Sequence, residues 1–425
     1  AGPARVLLGE TEDGVPICLL DHPGLFAEEA GPYDDWDRAH RRFAALSWAA
    51  ADLAREGDGQ GWKADILHAH DWPAGLAPAY LALGPGPRPR SLMTIHNIAY
   101  QGNFPPALLG EVWLPPEAYA VEGAEFMGRL SFLKAGLHYA DRLGTVSPTY
   151  AWEVQQPGGG RGLEGLLARR SQDFSGILNG IDTEVWDPAT DPHLLVDYDA
   201  ASLDRRVLDT AALRMELGLE EHPVAPLFGV VSRMEAIKGL DLILPNLEHL
   251  VELGAQFALV GSGDPNLEKA FLQAAERHPG RIAVRIGYNE GLAHRMYAGA
   301  DVLMVPSRSE PCGLTQMYAF RYGCLPLVRR RGRWTRRARR PTTGSRRWWP
   351  SPAPTGPACW PTRHWKTPSG NRAASWSTAG CSTGSPIPRH CRAPWMAWLT
   401  STWACIASMR RCAASHREPP NCRCM

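Results

Sequence analysis

One pattern constrains this chain more than any other. Through residue 328, short apolar runs alternate with polar or glycine turns and with segments of helical period. That order predicts βα units built around a parallel sheet. Strands are predicted at 65–70, 91–96, 176–179, 227–232, 257–260 and 301–306. Helices are predicted at 74–83, across Phe126, Leu130, Leu133 and Leu137, and across Leu240, Ile243, Leu247 and Leu250.

The chain has 425 residues, which is too long for one ordinary core and favours two domains. A charged stretch at 205–226 ends in a turn, and a new first strand follows it. We therefore predict a first domain over 1–222 and a second over 223–328. Both are expected to be Rossmann-like, doubly wound α/β domains that face each other across a cleft.

The periodic pattern stops after Val328. Residues 329–425 hold 19 of the 45 Lys and Arg residues, one of the 44 acids, nine of the 16 tryptophans and seven of the ten cysteines. Three interpretations compete: a nucleic-acid-binding tail of arginine and aromatic residues, a disulfide-rich module, or translation in a wrong reading frame. We favour the third, because it explains the loss of acidic residues, valine and periodicity at one point.

The remaining 328 residues have an ordinary soluble balance of 26 basic and 43 acidic residues, with no nucleic-acid footprint. Their three scattered cysteines, Cys18, Cys312 and Cys324, are typical of a reducing cytosol. No apolar stretch is long enough to cross a bilayer. We expect a cytoplasmic protein without nucleic-acid or membrane partners.

Polar groups follow two of the strands predicted in the first half. Asp71 comes directly after the strand at 65–70, where open α/β sheets bind ligands, although it could equally cap the helix that follows. His68 and His70 share one face of that strand. They could be metal ligands, but no third ligand stands at metal spacing, so packing is favoured and no metal site is predicted.

Charged residues mark two turns in the second half. Arg233 and Lys238 lie at a strand-to-helix turn and could converge on a diphosphate, or they could be a solvated surface pair. The helix dipole disfavours clustered cations at a helix start, which favours an anion there. Glu310 and the residues Pro311–Thr315 that follow it lead into a predicted helix. The N–H groups of that helix could hold an anion or a sugar hydroxyl, or Glu310 could simply be its cap.

Six motifs in register resemble the bacterial glycogen synthases and plant starch synthases from about Tyr33 to Val328. They are Leu67–Leu76, Thr94–Gly102, Val146–Tyr150, Leu178–Asp182, Ser232–Asp241 with Gly261–Pro265, and Glu310–Gln316. The resemblance implies a two-domain (GT-B) retaining glycosyltransferase. Its reaction would transfer glucose from ADP-glucose to the non-reducing end of an α-1,4-glucan such as glycogen, without a metal or cofactor.

The resemblance also implies roles for individual residues. Glu310 would contact the donor glucose, Arg233 and Lys238 would bind the ADP phosphates, His96 would face the glucose, and Asp71 would lie close to the reacting centre. The remaining candidates for substrate binding are Tyr33, Asn179, Tyr288, Cys312, Gly313, Leu314 and Thr315. Retention could use a covalent carboxylate or same-face return, and the residues leave both routes open.

Two departures from the family pattern stand out. Ala1 corresponds to a point downstream of the family's Lys-Thr-Gly-Gly-Leu loop, and Arg331 stands where a Thr-Gly-Gly-Leu loop is expected. We therefore expect both domains to be incomplete and synthase activity to be small or absent. The alternatives are a non-catalytic glucan-binding remnant, a sucrose synthase or glucan phosphorylase, and a basic nucleic-acid-binding protein. Oligomeric state and the choice between ADP-glucose and UDP-glucose are not decided by the residues themselves.

Overall fold

The computed structural model describes residues 4–26, 33, 36–59 and 61–329. Its contacts divide the chain into two units, Ala1–Gly180 and Ile181–Met425. Apart from Arg329, the anomalous segment predicted at 329–425 lies outside the described residues. Among the helices of the described ranges, none has the length and apolarity that crossing a membrane would require.

The first unit contains a hairpin, a parallel sheet and a small antiparallel sheet. Its elements are β1 (Arg5–Glu10), β2 (Pro16–Asp21), α1 (Pro23–Phe26), α2 (Trp36–Glu56), β3 (Ile66–His70), α3 (Ala77–Leu83), β4 (Arg90–Ile95), β5 (Asn103–Phe104), β6 (Glu125–Phe126), β7 (Arg129–Ser131), α4 (Phe132–Tyr139), β8 (Arg142–Thr145), α5 (Pro148–Glu153), α6 (Glu164–Arg169) and β9 (Phe174–Gly176).

The parallel sheet of this unit has the order β3-β4-β8-β9. Along β3, Leu67 and Ala69 are buried while His68 and His70 are exposed, as a half-buried strand requires. The carboxyl ends of all four strands therefore lie at one edge, and the chain that leaves each strand there carries the polar motifs of this half.

Over the described residues 181–329, the second unit is an α/β structure around a five-stranded sheet. Its elements are α7 (Arg206–Leu217), β10 (Leu227–Val231), α8 (Leu247–Glu252), β11 (Gln256–Gly261), α9 (Pro265–Arg277), β12 (Ile282–Ile286), α10 (Glu290–Gly299), β13 (Val302–Val305), α11 (Leu314–Arg321) and β14 (Leu325–Val328). The strands are all parallel in the order β12-β11-β10-β13-β14.

Alternate residues of these strands build a core on each face of the sheet. Phe257 and Leu259 of β11 belong to the cluster that also contains Phe271 of α9, whereas Ala258 and Val260 belong to the cluster around α10. Helices therefore cover both faces, as in a doubly wound fold. The structure confirms the predicted α/β class and the parallel sheets.

Three local predictions were wrong in detail. Phe126 and Leu130 lie in β6 and β7, and α4 begins only at Phe132. Met127 and Gly128 both have positive φ (50° and 76°), which is the backbone of a tight hairpin turn. The apolar stretch 240–250 forms 3-10 turns before the short α8, where Pro245 offers no N–H. The strand predicted at 176–179 lies earlier, as β9.

Residues 181–222 pack within the second unit, whereas the sequence predicts a boundary after residue 222. Trp186 stacks between His294 and Tyr318, with ring centroids 3.8 and 3.9 Å away. The Tyr198 hydroxyl donates to the Tyr322 carbonyl oxygen at 3.0 Å. Interactions between residues more than 100 positions apart cannot be located from local pattern, which explains the different division.

Candidate functional site

The order of strands in the second unit reverses between β10 and β13. The chain proceeds from β10 to β11 and β12 on one side, and then returns to β13 and β14 on the other. Open α/β sheets bind ligands in the crevice outside such a switch point, at the carboxyl ends of the strands. The loop 232–241 leaves β10 there and the loop 306–313 leaves β13, so these two loops form the candidate site of this unit.

Lys238 and Glu310 meet between the two loops. Lys238 Nζ donates to Glu310 Oε2 at 3.0 Å, and the Ser307 hydroxyl donates to the same oxygen at 2.8 Å. Both charged side chains are largely covered, with 24% and 17% of their surface exposed. Glu310 is not the cap of α11, because the N-cap position is Gly313 and no side chain makes that bond. The carboxylate is instead oriented by a cation and a hydroxyl.

Arg233 lies on the same turn as Lys238. Its Nη1 donates to Glu235 Oε1 at 2.6 Å, and 62% of the side chain is exposed. The guanidinium therefore remains accessible to an anion while one carboxylate limits its movement. Two cations at the carboxyl end of a central strand suit a diphosphate, since Arg offers a planar fork and Lys a point charge.

The turn after β11 supports the loop that carries Arg233. Met234 N donates to the Ser262 carbonyl oxygen and Asp264 N donates to the Met234 carbonyl oxygen, both at 2.8 Å. A Cβ on Gly261 would lie 1.8 Å from the Ser232 carbonyl oxygen, so only glycine permits this approach. The Gly-Ser-Gly motif therefore positions the Arg233 turn.

The other predicted residues of this unit are placed less uniformly. Cys312 is buried, Gly313 has a φ of 83°, and Leu314 and Thr315 open α11 beside Glu310. Tyr288 follows the edge strand β12, two strands from β10, and is 86% exposed. Among the described residues, no hydrogen bond or ion pair joins Tyr288 to the Lys238–Glu310 pair.

Asp71 and His96 form the corresponding cluster of the first unit. Asp71 follows β3 with a φ of 54°, and its Oδ1 accepts hydrogen bonds from His96 N at 2.7 Å and Asn97 N at 3.4 Å. Burial raises the pKa of the Asp71 carboxyl, against the opposing effect of the His96 N–H. The side chain makes no capping bond to the turn that follows it. Asp71 therefore holds the start of the loop after β4.

Histidines line the same edge. His70 Nδ1 lies 2.9 Å from His96 Nε2, and His68 Nε2 lies 2.8 Å from Thr94 Oγ1. Desolvation and the imidazoles of His68 and His96 lower the pKa of His70. Desolvation and the His96 imidazole lower the pKa of His68. Within the described ranges, no group of three or more His, Cys, Asp or Glu is arranged to hold a metal ion.

Tyr33 and Asn179 lie apart from that cluster. Tyr33 is 56% exposed and its ring lies against Phe43 and Trp72, at centroid distances of 5.7 and 6.1 Å. Trp72 directly follows Asp71, so the Tyr33 ring packs against the chain neighbour of Asp71. Asn179 is half-buried in the segment after the edge strand β9.

Sequence reasoning missed two partners of the predicted residues. Ser307 orients Glu310 and His70 contacts His96, yet neither was assigned a role in the site. The signal for Ser307 was its position just after a predicted strand. For His70 it was the outward face that it shares with His68, because a residue on that face can reach the next strand.

The fold and these loops define a class of protein: parallel α/β proteins that bind a ligand with charged side chains at the carboxyl ends of their strands. Comparisons with known proteins narrow the class. The family description "Starch synthase catalytic domain" matches residues 4–169, and "Glycosyl transferases group 1" matches residues 225–337.

Two curated relatives are glycogen synthases. The protein of Paramagnetospirillum magneticum is 52% identical over 325 residues, covering 75% of this chain and 66% of that protein. The protein of Granulibacter bethesdensis is 49% identical over 337 residues, covering 78% and 70%. The solved catalytic domain of starch synthase IV from Arabidopsis thaliana, bound to ADP and acarbose, is similar with a TM-score of 0.69 and 35% identity, over 77% of this chain and 69% of that one.

The chain spans about two thirds of the length of the curated relatives it matches. Identities near one half over that span, together with the match to the starch synthase domain, show its family. The chain belongs to the glycogen synthase and starch synthase family of glycosyltransferases.

Proposed function

We propose that this chain is a glucosyltransferase that moves glucose from ADP-glucose to the non-reducing end of an α-1,4-glucan, with retention of configuration. One observation carries the proposal: Lys238 and Glu310 meet 3.0 Å apart at the switch point of a chain about half identical to glycogen synthases. The similar starch synthase was solved bound to ADP, which supports ADP-glucose over UDP-glucose as the donor.

The proposed chemistry follows from the charges at the switch point. As the bond between glucose and diphosphate breaks, negative charge grows on the leaving phosphate, and Lys238 and Arg233 stabilise it. The described contacts of Glu310 both use Oε2, which leaves Oε1 to accept hydrogen bonds from sugar hydroxyls. The N–H groups at the start of α11 provide further donors beside it.

In the first unit, His96 is the proposed contact of the glucose. Asp71 accepts the His96 N–H and so fixes where the loop after β4 begins. The family resemblance favours same-face return over a covalent intermediate. Intact-mass measurement during turnover tests this preference, because a covalent route would leave a glucosyl adduct on the protein.

The proposal is tested by measuring binding and transfer separately, since the sequence predicts little transfer. ADP binding to the purified full chain is followed by calorimetry, and radiolabelled glucose transfer to glycogen is followed from ADP-glucose and UDP-glucose. Lys238→Ala should weaken ADP binding about 10- to 100-fold, because a hydrogen bond to a charged group contributes about 1.5–3 kcal/mol. Lys269→Ala, on the exposed surface of α9, is the matched control.

Each outcome separates the proposal from an alternative. A wild-type chain that binds no ADP contradicts it. Glycogen binding without transfer from either donor identifies a glucan-binding remnant, and faster transfer from UDP-glucose corrects the donor. Equal loss of ADP binding in the Lys238 and Lys269 variants would remove Lys238 from the site.

A further inference from the structure

The loops 232–241 and 306–313 are joined by a second ion pair, which takes no part in the proposed chemistry and whose arginine, Arg308, lies outside the motifs of the family resemblance. Arg308 Nη1 and Nη2 donate to the two carboxylate oxygens of Asp241, each at 2.6 Å. Arg308 Nη1 also donates to the Ala236 carbonyl oxygen at 2.7 Å, and Arg308 N donates to the Ile237 carbonyl oxygen at 2.8 Å. One arginine thus contacts three positions of the opposite loop.

The loops also touch directly beside Lys238. Gly239 has a φ of 68°, and a Cβ there would lie 2.5 Å from the Pro306 carbonyl oxygen. The Arg308–Asp241 pair and the Gly239–Pro306 approach therefore join the same two loops as the Lys238–Glu310 pair, and Gly239 directly follows Lys238. A change in the spacing of the loops moves the Lys238 ammonium relative to the Glu310 carboxylate.

We propose that Arg308 and Asp241 are positioning residues that hold Lys238 against Glu310 and thereby set the affinity of the site for the diphosphate of a nucleotide sugar. The identity of the ligand rests on the proposed function, whereas the positioning itself does not. The planar fork of Arg308 is essential to this role, because it binds a carboxylate with both nitrogens and still reaches a carbonyl oxygen. A lysine would keep the charge and lose the fork.

Another ion pair of the same unit, between Arg295 and Glu216, offers a control of similar geometry. Arg295 of α10 binds both carboxylate oxygens of Glu216 of α7, each at 2.7 Å, and both pairs are partly exposed. The Arg295–Glu216 pair joins two helices and includes no residue of either loop. Partly exposed ion pairs contribute little to stability. The two pairs should therefore affect unfolding alike and differ only in what they position.

The experiment compares the full chain with Asp241→Asn, Arg308→Lys, Glu216→Gln and Arg295→Lys variants. ADP binding is measured by calorimetry, and amide exchange of segments 236–241 and 306–310 is measured without ligand. We expect about tenfold weaker ADP binding in the first two variants, the loss of about one charge-assisted hydrogen bond. We also expect faster exchange at the Arg308 amide. Both Glu216→Gln and Arg295→Lys should match the wild type in binding and in loop exchange.

Two results would overturn the proposal: wild-type ADP affinity in both loop variants, or an equal loss in the helix-pair variants. If the wild-type chain binds no ADP, the proposed function fails, and amide exchange still decides the positioning claim. Faster loop exchange confined to Asp241→Asn and Arg308→Lys supports it, and unchanged exchange refutes it. Arg308→Lys keeps the positive charge, so it remains informative if Asp241→Asn does not fold.

Discussion

Gly261→Ala should push the turn after β11 away from the turn after β10, which carries the basic residues Arg233 and Lys238. Gly261 ends β11, directly beside the Ser232 carbonyl oxygen that follows β10. An added Cβ would lie 1.8 Å from that oxygen. A carbon and a carbonyl oxygen tolerate about 3.3 Å at closest contact, so the turns must move apart by about 1.5 Å.

This shift has a cost that follows from the bonds it breaks. The turns are joined by Ser232 N to the Val260 carbonyl oxygen at 3.1 Å, and by two bonds of Met234 at 2.8 Å. A movement of about 1.5 Å stretches each beyond hydrogen-bond distance. At about 0.5–1.5 kcal/mol for each bond, the local stability should fall by about 3 kcal/mol.

Gly287→Ala is the matched control. Gly287 follows the neighbouring strand β12 and also has positive φ, 118°, but nothing lies within 4 Å of an added Cβ. Alanine at this position has the backbone strain, which costs about 1–3 kcal/mol, but not the clash. The difference between the two variants therefore isolates the steric term.

Native-state amide exchange across residues 227–234 measures this local stability. A loss of about 3 kcal/mol corresponds to exchange on the order of 100-fold faster in Gly261→Ala. Exchange in Gly261→Ala no faster than in Gly287→Ala would refute the steric reasoning. Undiminished ADP affinity in a variant whose turns have measurably opened would instead refute the claim that the Gly261 turn positions Arg233 for ADP.

Two further predictions concern the frame of each unit. Phe271→Ala should destabilise the second unit by about 3–5 kcal/mol, because Phe271 is fully buried and stacks on Phe257. Leu272→Ala should cost far less, because Leu272 is 40% exposed. Circular dichroism during urea titration compares the stability of the two variants. Arg88 holds the pKa of Asp141 well below its usual range. Because that pKa is lowered by folding, its stabilisation is present above the unfolded value near pH 4 and is lost as pH falls through the folded value. Asp141→Asn should therefore be less stable than the wild type at pH 7, with a gap that narrows in acid. A gap constant from pH 7 to pH 3 would contradict this, as would equal effects of the Phe271 and Leu272 variants.

Local pattern was sufficient for much of the sheet. The strands β3, β4, β10, β11 and β13 were predicted to within one or two residues, because consecutive apolar residues between turns reveal a buried strand. It failed at Phe126 and Leu130, since a spacing of four residues suits one face of a helix and also the buried sides of a tight hairpin. Only the positive φ of Met127 and Gly128 decides between them.

The sequence by itself determined the parallel α/β class and the identity of the charged residues, because Asp71, Lys238 and Glu310 each follow a strand that local pattern predicts. Only the tertiary structure decided which of them meet. Lys238 and Glu310 are 72 residues apart, and they touch because the strand order reverses between β10 and β13. Strand order depends on how helices pack over the two faces of the sheet. The same holds for Arg308 and Asp241, which meet across the two loops. It also holds for Ser307, because its partner Glu310 is oriented by Lys238 of the opposite loop.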